Sequence, residues 1–157
     1  RGLRTFAVVS NNISLPVATA AFYPGLVATD RGAGEEWHRA SGVPLIPWSS
    51  QGRGFFVGRW PREMRDNPPD GLSGFDRTML RVYGSDENYS RLLRAQRLGE
   101  EKGGYTAIEV ALAWLLHRDL PIIPMVGPKT PDELESCITA LSLELTDDEV
   151  RYLDLRD

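Results

Sequence analysis

Val43-Pro44-Leu45-Ile46-Pro47-Trp48-Ser49-Ser50-Gln51-Gly52-Arg53-Gly54 is the stretch on which the fold turns. Its first half is a short apolar run with no polar alternation, which is how a strand buried on both faces reads. Its second half is small, polar and glycine-rich, as a loop leaving such a strand must be. Two further runs have the same character. Thr5-Phe6-Ala7-Val8-Val9-Ser10 leaves through Asn11-Asn12-Ile13-Ser14-Leu15-Pro16, and Pro121-Ile122-Ile123-Pro124-Met125-Val126 ends at Gly127.

Helical signals separate these runs. A short amphipathic helix over 35–40 is closed by Ser41-Gly42. Residues 88–102 carry Leu92, Leu93, Ala95, Gln96 and Leu98 near one face and stop at Gly103-Gly104. Thr106 with Glu109 is a capping-box pair opening a helix to His117 that has almost no polar face, so it must be covered on most sides. Thr130-Pro131-Asp132-Glu133 and Thr146-Asp147-Asp148-Glu149 are two more helix starts, with Leu145 and Val150 placed for a hydrophobic staple around the second. Residues 57–85 show no sustained period and read as a long loop on the active-site side.

Doubly buried strands followed by helices mean a parallel α/β architecture. Strands near 6–10, 44–48 and 122–126 should therefore point their carboxyl ends to one face, where Asn12, Trp48 and Gly127 converge. Three strands cannot close a barrel and would leave apolar edges, so the partner strands are expected on further chain or on another copy. An opening Arg1 rather than Met agrees with a piece of a longer protein.

Composition limits the function. The 157 residues are 41% hydrophobic and 25% charged with net charge −4, which is ordinary for a soluble domain and favours neither nucleic acid nor an anionic membrane. No apolar run approaches the roughly 20 residues that span a bilayer, and no signal-peptide pattern opens the chain. One cysteine, Cys137, gives no internal disulfide and no metal-ligand spacing, so a reducing, cytoplasmic setting is expected. His38 and His117 read as surface or helix-end residues, Cys137 as an inert packed thiol, and Asp147, Asp148 and Glu149 as capping acids rather than a paired-carboxylate site.

Taken in order, the segments resemble one family. The run Val43 to Phe56 is similar to the seventh strand and following loop of the aldo-keto reductases, whose pattern is aromatic-Ser-Pro-Leu-x-x-Gly. Thr106 to Leu116 resembles the helix before their last strand. Pro121 to Leu145 resembles that strand and the cofactor helix, and Ser10-Asn11-Asn12 the end of the sixth strand. Trp48 to Phe56, with Asp86-Glu87-Asn88-Tyr89 later, resembles a divergent branch.

The resemblance implies the C-terminal portion, about strands 6–8 with their helices, of a (β/α)8 TIM barrel, with 1–157 as the C-terminal half of an NADP-dependent oxidoreductase domain. Sites in such barrels lie at the carboxyl ends of the strands. It places Asn12 at the nicotinamide carboxamide, Trp48 stacked on the nicotinamide, and Ser49 at the pyrophosphate, with Gln51, Gly52 and Arg53 along the same loop. Gly127, Pro128, Lys129 and Thr130 fall beside a helix N-terminus suited to an anion, with Lys129 as the cation for an adenosine phosphate. Two positions depart from the family. Glu133 stands where Arg or Gln holds the 2′-phosphate, and Cys137 where Asn contacts adenine, so NADP is implied with NAD as an alternative.

The family's catalytic Asp, Tyr, Lys and His belong to earlier strands and have no counterpart here. Tyr83 and Tyr89 are the remaining candidate acids. The expectation is an NAD(P)H-dependent carbonyl reductase acting on a small-molecule substrate, this chain supplying the cofactor part and the upstream half of the barrel the proton chemistry. A non-catalytic half-barrel that binds a nucleotide or a partner is the alternative, and an inactive fragment exposing Val8, Ile46 and Ile123 is a third.

Overall fold

The computed structural model describes residue 4, residues 6–29 and residues 31–156. Thr5, where the first expected strand begins, lies outside them, as do residues 1–3, 30 and 157. Three extended segments pair in parallel through single bridges, Val9 with Leu45 and Leu45 with Ile122. The Val9 N–H donates to the Pro44 carbonyl and the Ile46 N–H to the Val9 carbonyl, at 2.9 and 2.8 Å. On the other side Leu45 donates to Pro121, Ile123 to Leu45 and Met125 to Pro47, at 2.8, 2.9 and 3.1 Å. Pro44 and Pro47 have no N–H to give, so the ladder is cut on either side of Leu45 and Ile46. The parallel direction matches the sequence expectation, but the expected strands do not form among the described residues, where only isolated bridges join the segments.

Burial on both faces does not match that expectation either. Leu45 is fully enclosed, but Phe6 is 85% exposed and Val8, Ile123 and Met125 also face outward. Helices cover only the side that carries Val9, Leu45 and Ile122. The alternate residues of the same segments are only partly covered, Val8, Ile123 and Met125 being 42%, 57% and 50% exposed.

The helices are α1 (Ala33–Ser41), α2 (Arg62–Asp66), α3 (Gly74–Tyr83), α4 (Asp86–Glu101), α5 (Ala107–Leu116), α6 (Pro131–Thr139) and α7 (Asp147–Leu153), with a 3₁₀ turn over Gly52–Val57. The expected long loop over 57–85 is thus corrected, since α2 and α3 occupy much of it. Ser73 caps α3 by accepting the Asp76 N–H at 3.0 Å, and Met79, Val82 and Tyr83 form its buried face. That face spans only ten residues, which is why the surrounding Pro, Gly and Arg hide its period. α5 is nearly all buried, from Ala107 to Leu115, and packs against α4. Its Glu109 accepts the Thr106 N–H at 2.7 Å and the Ser136 hydroxyl of α6 at 2.9 Å.

The irregular stretch 11–29 is held by side chains. Asn88, fully buried, accepts the Val17 N–H and donates to the Val17 and Tyr83 carbonyls. Arg31 donates to the Ser14 and Leu15 carbonyls and to Asp154. Arg118 in turn bonds both oxygens of Glu35 at 2.7 and 2.5 Å and Asp154 at 2.9 Å. The two guanidinium groups lie 4.5 and 4.9 Å from the centroid of the Trp114 ring. Burial brings the Arg31 guanidinium down to about 10, against the opposing pull of Asp154.

Two outcomes follow from this packing. Arg118→Met leaves Glu35 and Asp154 without their shared cation in a site where both are almost wholly enclosed. Urea unfolding should show a loss of about 3–5 kcal/mol, whereas Arg39→Met, which breaks an exposed pair with Asp119, should cost less than about 1 kcal/mol. Equal costs would mean that the buried network does not hold the fold.

The second concerns Asp76, whose carboxylate accepts the Ser73 hydroxyl at 2.6 Å and the Trp60 indole N–H at 2.9 Å. The Ser73 bond, then the Trp60 bond, hold it below the ordinary carboxylate value of 3.8. A depressed folded value contributes stability that is complete above the unfolded value and lost as pH falls through the folded one. The Trp60 indole N–H resonance should therefore titrate below pH 3.8 and stop titrating in Asp76→Asn. A midpoint at or above the ordinary value would contradict the assignment.

Candidate functional site

Because the three segments run parallel, their exits lie at one end, and side chains stitch those exits together. Asn12 Nδ2 donates to the Trp48 carbonyl at 3.0 Å, and Ser50 Oγ to the Met125 carbonyl at 2.7 Å. A groove of about 770 Å³ opens there between the 49–54 loop and the start of α6. One wall carries Ser49, Gln51 and Arg53, and the other Gly127, Pro128, Lys129, Glu133 and Cys137. Eight of the twelve residues expected from the sequence are thereby brought together.

Four are not on its lining. Asn12 is buried and spends its amide on the Trp48 carbonyl. The Trp48 ring meets Phe22 edge-on at 5.3 Å and lies 5.4 Å from the Arg53 guanidinium carbon. Gly52 is buried with φ +69°, and a Cβ there would come within 2.7 Å of the Pro16 ring, so internal packing already demands glycine. Thr130 caps α6, its hydroxyl accepting the Glu133 N–H at 3.2 Å.

The loop wall is conformationally unusual. Ser49 and Arg53 both sit at φ +55°, a region that side chains other than glycine's rarely enter. Arg53 Nε donates to Ser49 Oγ at 2.6 Å and fixes the two together. Val57, Arg59 and Phe75 continue the lining, so residues near the start of α3 do reach the groove.

On the α6 wall, Lys129, Asp132, Glu133, Ser136 and Cys137 follow one helical face. Asp132 and Ser136 were legible in principle from that spacing, as i+3 and i+7 of Lys129, and were missed. Glu133 Oε2 accepts the Lys129 N–H at 2.5 Å. The Cys137 thiol lies 3.6 Å from Gln51 Oε1 across the floor, and burial pushes it above its ordinary value, which fits an inert thiol.

The candidate acids lie elsewhere. Tyr83 is fully enclosed against Phe22 and Phe55 with its hydroxyl beside Ser14 and Asn12, and burial raises its phenol. The Tyr89 hydroxyl donates to the Trp60 carbonyl at 3.2 Å. Neither borders the groove, so neither serves as its proton donor. His38 is a helix-end residue in the last turn of α1, buried there with its Nδ1 2.8 Å from the Val43 carbonyl. His117 does end a helix: Nδ1 lies 2.8 Å from the Ala113 carbonyl and Nε2 accepts the Leu145 N–H at 3.2 Å. Among the described residues no cluster of His, Cys, Asp or Glu could hold a metal ion, and no helix is long and apolar enough to cross a membrane.

The groove has an apolar floor of Ile108, Met125 and Val126, polar groups on both walls, and open space beside Gly127. Residues 35–155 match the model of the aldo/keto reductase family. The versiconal hemiacetal acetate reductase of Aspergillus parasiticus is 31% identical over 116 residues, 73% of this chain and 32% of that protein. Norsolorinic acid reductase stcV of Emericella nidulans is 32% identical over 118 residues, 74% of this chain and 27% of its own. Probable aldo-keto reductase 1 of Glycine max is 29% identical over 115 residues, 73% and 32% respectively. The chain thus spans about a third or less of the length of these relatives. With a family model matched over most of its length, the chain belongs to the aldo/keto reductase family.

Proposed function

We propose that this chain is the cofactor-holding part, about strands 6–8, of an NAD(P)H-dependent carbonyl reductase built on a (β/α)8 barrel. The observation that carries the reading is the convergence of the 49–54 loop and the start of α6 on one groove at the carboxyl ends of parallel segments. Ligands of such barrels bind at that end. A bound reduced nicotinamide supplies a hydride to a carbonyl carbon. The chain's own residues hold and orient it. Ser49 and Arg53 form a preset polar wall, the exposed Gly127 leaves room for close approach, and Lys129 and Glu133 flank the α6 end.

Among the described residues no tyrosine or histidine lines the groove, so the acid that carbonyl reduction needs is proposed to come from elsewhere. The remaining strands of the barrel are the proposed partner, covering the outward faces of Phe6, Val8, Ile123 and Met125 and bringing the acid. A small carbonyl compound is the proposed substrate. The competing reading, a half-barrel that binds a nucleotide or a partner without turnover, shares the groove and differs in what the completed barrel does.

Titration of NADH and NADPH by fluorescence tests the site. Gly127 is exposed, and a Cβ there meets nothing within 4 Å. Gly127→Leu should therefore leave unfolding unchanged and weaken both dinucleotides, by about tenfold for an intruding side chain in a preformed groove. Unaltered affinities would place the ligand elsewhere. Mixed with aldehydes or ketones and NADPH, the chain alone should show no enzymatic oxidation of the cofactor, and the remaining strands should restore it. Turnover by the isolated chain would show that the acid lies on residues described here.

A further inference from the structure

We infer that Glu133 and Asp132 select a dinucleotide whose adenosine ribose carries a free 2′-hydroxyl, so that the groove takes NAD(H) in preference to NADP(H). This rests on the reading of the groove as a dinucleotide site, with the adenosine end at α6 as the family resemblance implies. The groove is charge-polarised: Arg53 and Arg59 stand on the loop wall, and Asp132 and Glu133 on the α6 wall with Lys129 as the cation beside them. An anion arriving at a helix N-terminus normally takes the backbone N–H groups there. At α6 two of the amides at this end, those of Lys129 and Glu133, are engaged. Glu133 Oε2 accepts the Lys129 N–H at 2.5 Å, and Thr130 Oγ1 accepts the Glu133 N–H at 3.2 Å.

A phosphomonoester at this end would meet two carboxylates and one ammonium, with the Lys129 and Glu133 amides already occupied. It would add a charge of about −2 where the protein already places a net negative one. A ribose hydroxyl has the opposite needs. It donates to a carboxylate oxygen and loses nothing by the absence of a second cation. The lone pairs that Glu133 does not spend on Lys129 suit that donor, and the same carboxylate repels the phosphorylated competitor.

The test is the ratio of dissociation constants for NADPH and NADH, measured by calorimetry on the chain, with 2′,5′-ADP and 5′-AMP as the matching pair without nicotinamide. NADH should bind at least about tenfold tighter, as expected for a dianion held near an unbalanced carboxylate at a partly solvated site. Raising the salt concentration should narrow the gap. Glu133→Gln keeps an acceptor for the Lys129 N–H and removes the charge. It should bring the two dinucleotides to within about threefold, mainly by tightening NADPH, and Asp132→Asn should act in the same direction by less. NADPH binding as tightly as NADH to the unaltered chain, or a ratio unmoved in both variants, overturns the inference and leaves the dinucleotide site standing. Binding of neither dinucleotide removes the site itself and the inference with it.

Discussion

The backbone of Leu45 is the constraint on which the site depends. Its N–H and carbonyl pair with Pro121 and Ile123, the adjoining Ile46 N–H reaches Val9, and its side chain is wholly enclosed. A slip of one residue in this register would turn Leu45, Val9 and Ile122 away from the helices and bring the bare face inward. It would also move the 49–54 loop relative to α6, and the groove exists only because those two arrive together. Prolines on both sides of the pairing keep the ladder too short to hold the register alone. Ser10, Asn12 and Ser50 make up the difference, each donating from its side chain to a carbonyl of the neighbouring segment.

The helical side is fixed in a different way. Residues 11–29 have little regular structure, yet they lie against α3, α4 and α5 through Asn88 and the network of Arg31, Arg118, Glu35 and Asp154. Two acids balance two bases there, so the cluster is neutral as a whole. Each charge is satisfied only if all four segments are in place: the loop, the start of α1, the end of α5 and the residues after α7. Such a cluster adds less to stability than its short distances suggest, because desolvation offsets most of the attraction. Its contribution is to make one arrangement of those segments much better than others.

Capped helices were the most legible part of the sequence. Thr106, Thr130 and Thr146 announce their helices by local hydrogen bonding, which needs no tertiary partner. α3 was missed because its start is Ser73 with Asp76 inside a stretch of Pro, Gly and Arg, and its apolar face is short. The parallel direction of the three segments was also readable, but neither their reduction to single bridges nor their burial was, since both depend on what pairs with and covers a segment rather than on the segment. The same limit applies at the site. Trp48 and Asn12 have residue types suited to a nicotinamide, and in this chain their nearest partners are Phe22, Arg53 and each other. Sequence names a donor or a ring; only neighbours decide what it meets.

The groove's loop wall shows where the chain has spent stability on shape. Holding Ser49 and Arg53 at positive φ costs about 1 kcal/mol or more each, and such conformations persist only where the surroundings over-determine them. Here the surroundings can be named: the bond from Arg53 to Ser49, the Gly52 backbone against Pro16, and the Ser50 hydroxyl on Met125. A wall fixed this way is set before any ligand arrives, so binding does not have to supply the ordering cost. The α6 wall is set too, being built on a helix whose first turn is already capped. Both walls are therefore held by their own contacts, while the segment faces between them carry Val8, Ile123 and Met125, apolar side chains left partly exposed. On the proposed reading the ligand is held between these fixed polar walls, and whatever covers the apolar face brings the reacting groups.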